Sequence, residues 1–171
     1  MISKKICLMG SFAVGKTSLV RRFVESCFDE KYQTTIGVKI DKKVVTVNGK
    51  TVQFIIWDFE GRDDFSELKV SYLRGASGYF LVADSTRKDT LDVAIELQSQ
   101  VEEYLGKKPF LLLLSKNDLT ESIRIDNAKI TSLENNGWRV IKTSAKTGEN
   151  VEHAFQQLAD KLVTLSEVKA S

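Results

Sequence analysis

The run GSFAVGKT, residues 10–17, constrains this chain more than any other feature, because it stands between an apolar segment and an amphipathic one. It matches the pattern G-x-x-x-x-G-K-[ST]. It follows an expected strand over residues 6–9 and opens an expected helix marked by Leu19, Val20, Phe23 and Val24. The glycines at its two ends let the backbone wrap closely around an anion, with successive N–H groups and the helix N-terminus aimed at it. In such a cradle Ala13, Val14, Gly15, Lys16, Thr17 and Ser18 would meet phosphates. Lys16 neutralises β/γ charge, which makes it a catalytic candidate as well, and the Thr17 hydroxyl faces magnesium. A glycine-bearing turn with an incidental Lys-Thr would explain the same letters but not their placement. The loop alone chooses neither base nor reaction, since kinases, ATPases and GTPases share it.

The rest of the chain alternates strand and helix patterns. Residues 39–47 and 51–57 alternate and are rich in β-branched side chains, with Asn48-Gly49 between them, which predicts a tight antiparallel hairpin. Residues 78–83 and 110–114 are continuous apolar runs, as in strands covered on both faces, and residues 139–142 form a shorter one. Helical spacing links Leu91, Ala94, Ile95, Val101 and Leu105, then residues 125–136 more weakly, then Val151, Phe155, Leu158, Leu162 and Leu165. The expected fold is a three-layer α/β domain: a mostly parallel six-stranded sheet, one antiparallel hairpin at its edge, and helices on both faces. The 171 residues suffice for one such domain, with an ordered core over about residues 4–165 and a fraying tail over 166–171.

Charge excludes some partners. The 25 basic and 23 acidic residues are spread along the chain, which argues against nucleic acid or an anionic membrane as partner. Cys7 and Cys27 are not spaced as a metal site or disulfide framework, so a reducing, cytoplasmic setting is expected. There is no secretory signal pattern and no run of about 18 apolar residues. Residue 2 is Ile and no cysteine lies near Ser171, so no lipid anchor is expected in this chain, and a monomer is expected.

Three further segments select the ligand. In IIWDFEGRDDF, Asp58 ends an apolar strand, where a carboxylate can hold magnesium through water; a helix-capping role suits Asp63 or Asp64 better. SKND follows the strand at residues 110–114, and TSAKTGEN follows the strand ending near Lys142. Loops at strand C-termini line the ligand crevice of open α/β sheets. Asp118, an acceptor-only carboxylate, suits the N1–H and 2-amino donors of guanine and not adenine. Sites built from such bonds discriminate by about 10⁴ to 10⁵.

In their order, GSFAVGKT, TTIG, WDFEG, SKND and TSAK resemble a small GTPase of the Ras superfamily over about residues 4–165, and YQTTIGVK and SYLRGASGYFLV are most similar to the Rab branch. The resemblance implies a P-loop G domain that binds GTP or GDP with magnesium and changes its two switch loops as the γ-phosphate leaves. It implies that Thr35 closes over the γ-phosphate and ligates magnesium, that Tyr32 lies across the phosphates, and that the Gly61 N–H reaches the γ-phosphate. Phe28 would sit edge-on to the guanine and Lys116 along its face. The Ala145 N–H would reach O6, with Ser144 bracing Asp118 and Lys146 beside them. Effectors, exchange factors and activators would dock on about residues 29–47 and 59–74, using Ile36, Val38, Trp57 and Phe65, of which Val38 and Trp57 suit a core equally well.

The chain departs from that family at three places. Where relatives read D-T-A-G-Q, it reads Asp58-Phe59-Glu60-Gly61-Arg62, and the Arg62 guanidinium has no acceptor with which to orient an attacking water. Phe12 puts a ring where relatives have Gly or Ser, crowding the γ-phosphate and any arginine finger, whose contribution is about 10³ to 10⁵ in rate. Ser115 replaces the asparagine of N-K-x-D and lacks an amide to serve both base and loop, so affinity should fall while Asp118 keeps guanine choice. Slow hydrolysis is therefore expected. Arg62 as a built-in finger and Glu60 as a water-positioning group are the catalytic candidates, against the reading that both are ordinary surface residues. The alternative function is a GTP-binding interaction module with negligible turnover. A small-molecule kinase is disfavoured, because no lid insertion or second basic cluster is present.

Overall fold

The computed structural model describes residues 1–26, 28, 37–59 and 70–170. Strands β1 (Ile2–Gly10), β2 (Val38–Val47), β3 (Lys50–Phe59), β4 (Gly78–Asp84), β5 (Phe110–Ser115) and β6 (Val140–Lys142) form one sheet in the order β2-β3-β1-β4-β5-β6. Among the described residues only β2 and β3 pair antiparallel. Their turn places Asn48 at φ 51 and Gly49 at φ 75, both left-handed as a two-residue primed turn requires, and Val47 pairs with Lys50 across it. β1 is longer than its apolar run suggests, because Ile2 and Ser3, both exposed, continue the ladder with Val52 and Gln53.

Helices α1 (Lys16–Glu25) and α4 (Val151–Ala170) cover one face, and α2 (Asp89–Leu105) and α3 (Asn127–Asn135) the other. Successive strand residues go to opposite cores. Ile6, Leu8, Phe80, Val82, Leu111 and Leu113 face α1 and α4, whereas Cys7, Met9, Leu81, Ala83, Leu112 and Leu114 face α2 and α3. Both faces are dry, so β4 is buried at all seven positions and its sequence shows no alternation. Phe155 of α4 anchors the first core, stacking on Phe23 and meeting Phe54 and Phe80 at steep angles.

α4 runs to Ala170. The Ser166 hydroxyl donates to Leu162 O at 3.0 Å, and Lys50 of the hairpin pairs with Glu167. The hairpin turn also docks on this helix, with Asn48 Nδ2 donating to Asp160 Oδ1 at 2.8 Å. Trp57 and Val38, which suited core and surface equally, are half-buried against the second core, with the Lys5 ammonium 3.6 Å from the Trp57 ring centroid.

β1 lies where the order of connection reverses, between β3 and β4. The loop after β1 therefore opens into the crevice at the strand C-termini, where open α/β sheets place their ligands.

Candidate functional site

The phosphate loop is shaped by a close approach and by left-handed backbone. A Cβ on Gly10 would stand 2.4 Å from Val82 O, so only glycine lets β1 pair with β4 up to the mouth of the loop. Ala13 at φ 60 and Gly15 at φ 102 then turn the chain back on itself. α1 begins with Gly15 at its N-cap, with no side-chain cap and no acid in its first turn, so no carboxylate of that turn opposes an anion at this helix end.

Each carbonyl from Gly10 to Val14 has a side-chain donor. Lys16 Nζ, on a residue only 5% exposed, donates to Gly10 O at 3.2 Å and Ser11 O at 3.0 Å. Arg87 Nη2 donates to Phe12 O at 2.7 Å and Lys116 Nζ to Ala13 O at 3.2 Å. The Ser115 hydroxyl bonds Val14 O and also lies 3.1 Å from Ala83 O. In a trans peptide the carbonyl and the following N–H point opposite ways. Fixing five carbonyls therefore fixes the directions of the N–H groups of residues 11–15, a backbone of the kind that can cradle an anion.

At the foot of the cradle the Thr17 hydroxyl donates to Asp58 Oδ2 at 2.6 Å. Asp58 is fully buried near the end of β3, with Lys39 of β2 directly across the ladder. Burial pushes its carboxyl up, while the Thr17 bond and the charges of Lys16 and Lys39 pull it down and Asp41 adds to the rise. A buried carboxylate beside a hydroxyl is an all-oxygen donor set, which fits a hard divalent cation such as magnesium.

The far wall is the pair of loops after β5 and β6. The Ser144 hydroxyl donates to Asp118 Oδ1 at 2.8 Å and accepts the Thr147 N–H at 3.1 Å, so its orientation is fixed from both sides. Asn117 N donates to Thr143 O at 3.0 Å, and Asn117 Nδ2 to Glu149 Oε1 at 2.7 Å. Arg22 of α1 reaches across, with Nε 2.6 Å from Ala145 O and Nη2 bonded to Lys146 O. Lys116 stands at φ 60, in the left-handed region that recurs at functional turns, and pairs with Asp84 at 2.8 Å.

The structure thus joins Ala13, Val14, Gly15, Lys16, Thr17, Asp58, Lys116, Asp118, Ser144, Ala145 and Lys146 around one crevice. Ser18 is half-buried in the first turn of α1, and Phe28 is partly buried against the first core. Tyr32, Thr35, Glu60, Gly61 and Arg62, with Ile36 and Phe65, lie outside the described residues. Ser115 serves the phosphate loop despite its short side chain, through its hydroxyl bond to Val14 O. Phe12 is 46% exposed at the loop's rim. Arg22, Asp84 and Arg87 were not anticipated from sequence. Asp84 carried the same signal as Asp58, an acid closing a buried strand; the two arginines carried none.

Residues 5–164 match the model of the Ras family. The chain belongs to the Ras family. It is 33% identical over 161 residues to Ras-related protein Rab-18-B of Danio rerio, spanning 93% of this chain and 78% of that protein. To Ras-related protein Rab-1 of Theileria parva it is 37% identical over 162 residues, spanning 92% of this chain and 73% of that one. It is a Rab-like small GTPase of the Ras superfamily, a GTP-binding switch. Members of this family bind GTP and GDP with magnesium and act through effector and regulator proteins. Among the described residues, no helix is long and apolar enough to cross a membrane.

Proposed function

We propose that this Ras-family protein selects guanine through Asp118, holds magnesium with Thr17 and Asp58, and hydrolyses GTP slowly. The Ser144–Asp118 bond is the observation that supports the base assignment, since it fixes one oxygen of an acceptor-only group. The N–H groups of residues 11–15 and Lys16 bind the phosphates, Lys116 lies along the base, Phe28 meets its edge, and the Ala145 N–H reaches O6. Thr35 closes on the γ-phosphate and the metal, Tyr32 covers the phosphates, and the Gly61 N–H takes up the γ-phosphate, so that loss of that group releases both loops. Bound magnesium supplies neutralisation of the charge that develops on the β- and γ-phosphoryl oxygens. Effectors, exchange factors and activators dock on residues 29–47 and 59–74.

Slow hydrolysis follows from two side chains. Arg62 cannot accept a hydrogen bond from the attacking water. The Phe12 ring stands at the rim across which an activator's arginine would enter. A single-turnover GTP assay tests this reading. A rate below that of a glutamine-bearing Rab and little acceleration by a Rab activator are expected, and an ordinary rate refutes the proposal. Arg62→Ala lowers the residual rate if Arg62 acts as a built-in finger and leaves it unchanged if Glu60 alone positions the water.

A further inference from the structure

Asp84, the last residue of β4, is 1% exposed, and both of its carboxylate oxygens are engaged. Oδ1 accepts the Thr86 hydroxyl at 2.6 Å and the Thr86 N–H at 2.8 Å. Oδ2 accepts Lys116 Nζ at 2.8 Å and Arg87 Nε at 3.1 Å. Burial alone would raise this carboxyl, but the bonds from Lys116 and Thr86 outweigh it and hold the group below the ordinary aspartate value. It is therefore an anion at neutral pH. Both of its cations continue to the phosphate loop, Arg87 to Phe12 O and Lys116 to Ala13 O.

The turn that carries Arg87 is itself pinned. Arg87 N donates to Asp84 O at 3.0 Å, and buried Thr90 of α2 donates its hydroxyl to Arg87 O at 2.6 Å while accepting the Asp84 N–H at 2.8 Å. Peptide geometry converts these carbonyl bonds into ligand geometry. Holding Phe12 O sets the direction of the Ala13 N–H, and holding Ala13 O sets that of Val14.

We propose that Asp84 and Arg87 are positioning residues of the nucleotide site, a strap that holds the Phe12–Ala13 stretch of the phosphate loop in its anion-binding form and slows nucleotide release. The inference rests on the guanine-nucleotide reading above and extends it to residues that contact no nucleotide. Two cations on one carboxylate also leave the cluster net positive beside the cradle, which favours a polyphosphate.

The test uses Arg87→Ala, whose side chain is 38% exposed and whose loss the core does not feel, with Asp84→Asn and the double variant. Two quantities are read: hydrogen exchange of peptides spanning residues 10–18 in EDTA-stripped protein, and release of a fluorescent GDP. Charge-assisted bonds of this kind predict roughly 3- to 10-fold faster release for Arg87→Ala, together with faster exchange. Because Asp84 acts on the loop through Arg87 and Lys116, the two substitutions should not add, and the double variant should release GDP no more than about twofold faster than Asp84→Asn alone. Unchanged exchange overturns the strap. Faster exchange with unchanged release, or additive effects in the double variant, overturns its role in nucleotide binding. A wild-type protein that holds no guanine nucleotide sinks the functional reading alone, and exchange then still decides whether the strap exists.

Discussion

Replacing Gly10 by alanine tests the close approach on which the whole site is built. The new Cβ would lie 2.4 Å from Val82 O, 3.1 Å from Val14 Cγ2 and 3.3 Å from Val82 C. Ordinary contact begins at 3.4 Å, so the Val82 carbonyl must retreat by about 1 Å. That oxygen belongs to the backbone of a strand buried at every position and has no rotamer to change. Overpacking of this kind costs about 1–3 kcal/mol, and a rigid neighbour places it in the upper half. Reduced freedom of the unfolded chain returns about 0.4–1 kcal/mol. For a domain this size about 1 kcal/mol moves Tm by 2–4 °C, so the variant should melt roughly 2–10 °C lower. Thermal unfolding in EDTA, with nucleotide stripped, isolates this effect from ligand binding. A midpoint within about 1 °C of wild type would refute the claim that β1 and β4 meet here with no room for a side chain.

Other expectations follow from single contacts. Arg22→Ala removes both donors to the Ala145–Lys146 loop and should speed GDP release by about 3- to 30-fold, whereas neighbouring Arg21→Ala, whose side chain pairs with Glu25 on the surface at 3.5 Å, should change it less than twofold; stopped-flow release of fluorescent GDP compares them. Phe155→Ala empties the centre of the first core, touching Phe23, Phe54 and Phe80, and should cost about 3–5 kcal/mol in urea unfolding. Cys7 is fully buried and its thiol is pushed up to about 12 by burial, so it is a neutral thiol at every pH below that. Iodoacetamide at pH 8 should leave it unlabelled in the folded protein and modify it fully in urea, as read by site-resolved mass spectrometry.

The parts of this molecule that were legible in the sequence are those written in contiguous residues. The phosphate loop carries its glycines, lysine and threonine within eight positions. Asn48-Gly49 specifies its own turn, and strands such as β4, buried on both faces, have no choice but to be apolar throughout. What escaped was contact between distant segments. The Arg22–Ala145 bond joins residues 123 apart and the Arg87–Phe12 bond residues 75 apart, and neither arginine differs locally from a solvated surface charge. The Lys50–Glu167 pair escaped for the same reason, since it joins the hairpin to the far end of α4. Ser115 read as a loss because only the missing amide was visible; its reach to the phosphate loop depends on how close β5 brings it to Val14.

The proposed guanine-nucleotide site is the crevice between the phosphate loop and the Asp118 loop. Protein purified in magnesium and then denatured should release close to one equivalent of GDP or GTP on chromatography, and a large excess of ATP should fail to displace labelled GDP from the intact protein. Absence of guanine nucleotide together with no uptake of added GTP, or displacement by ATP as readily as by GTP, would contradict it.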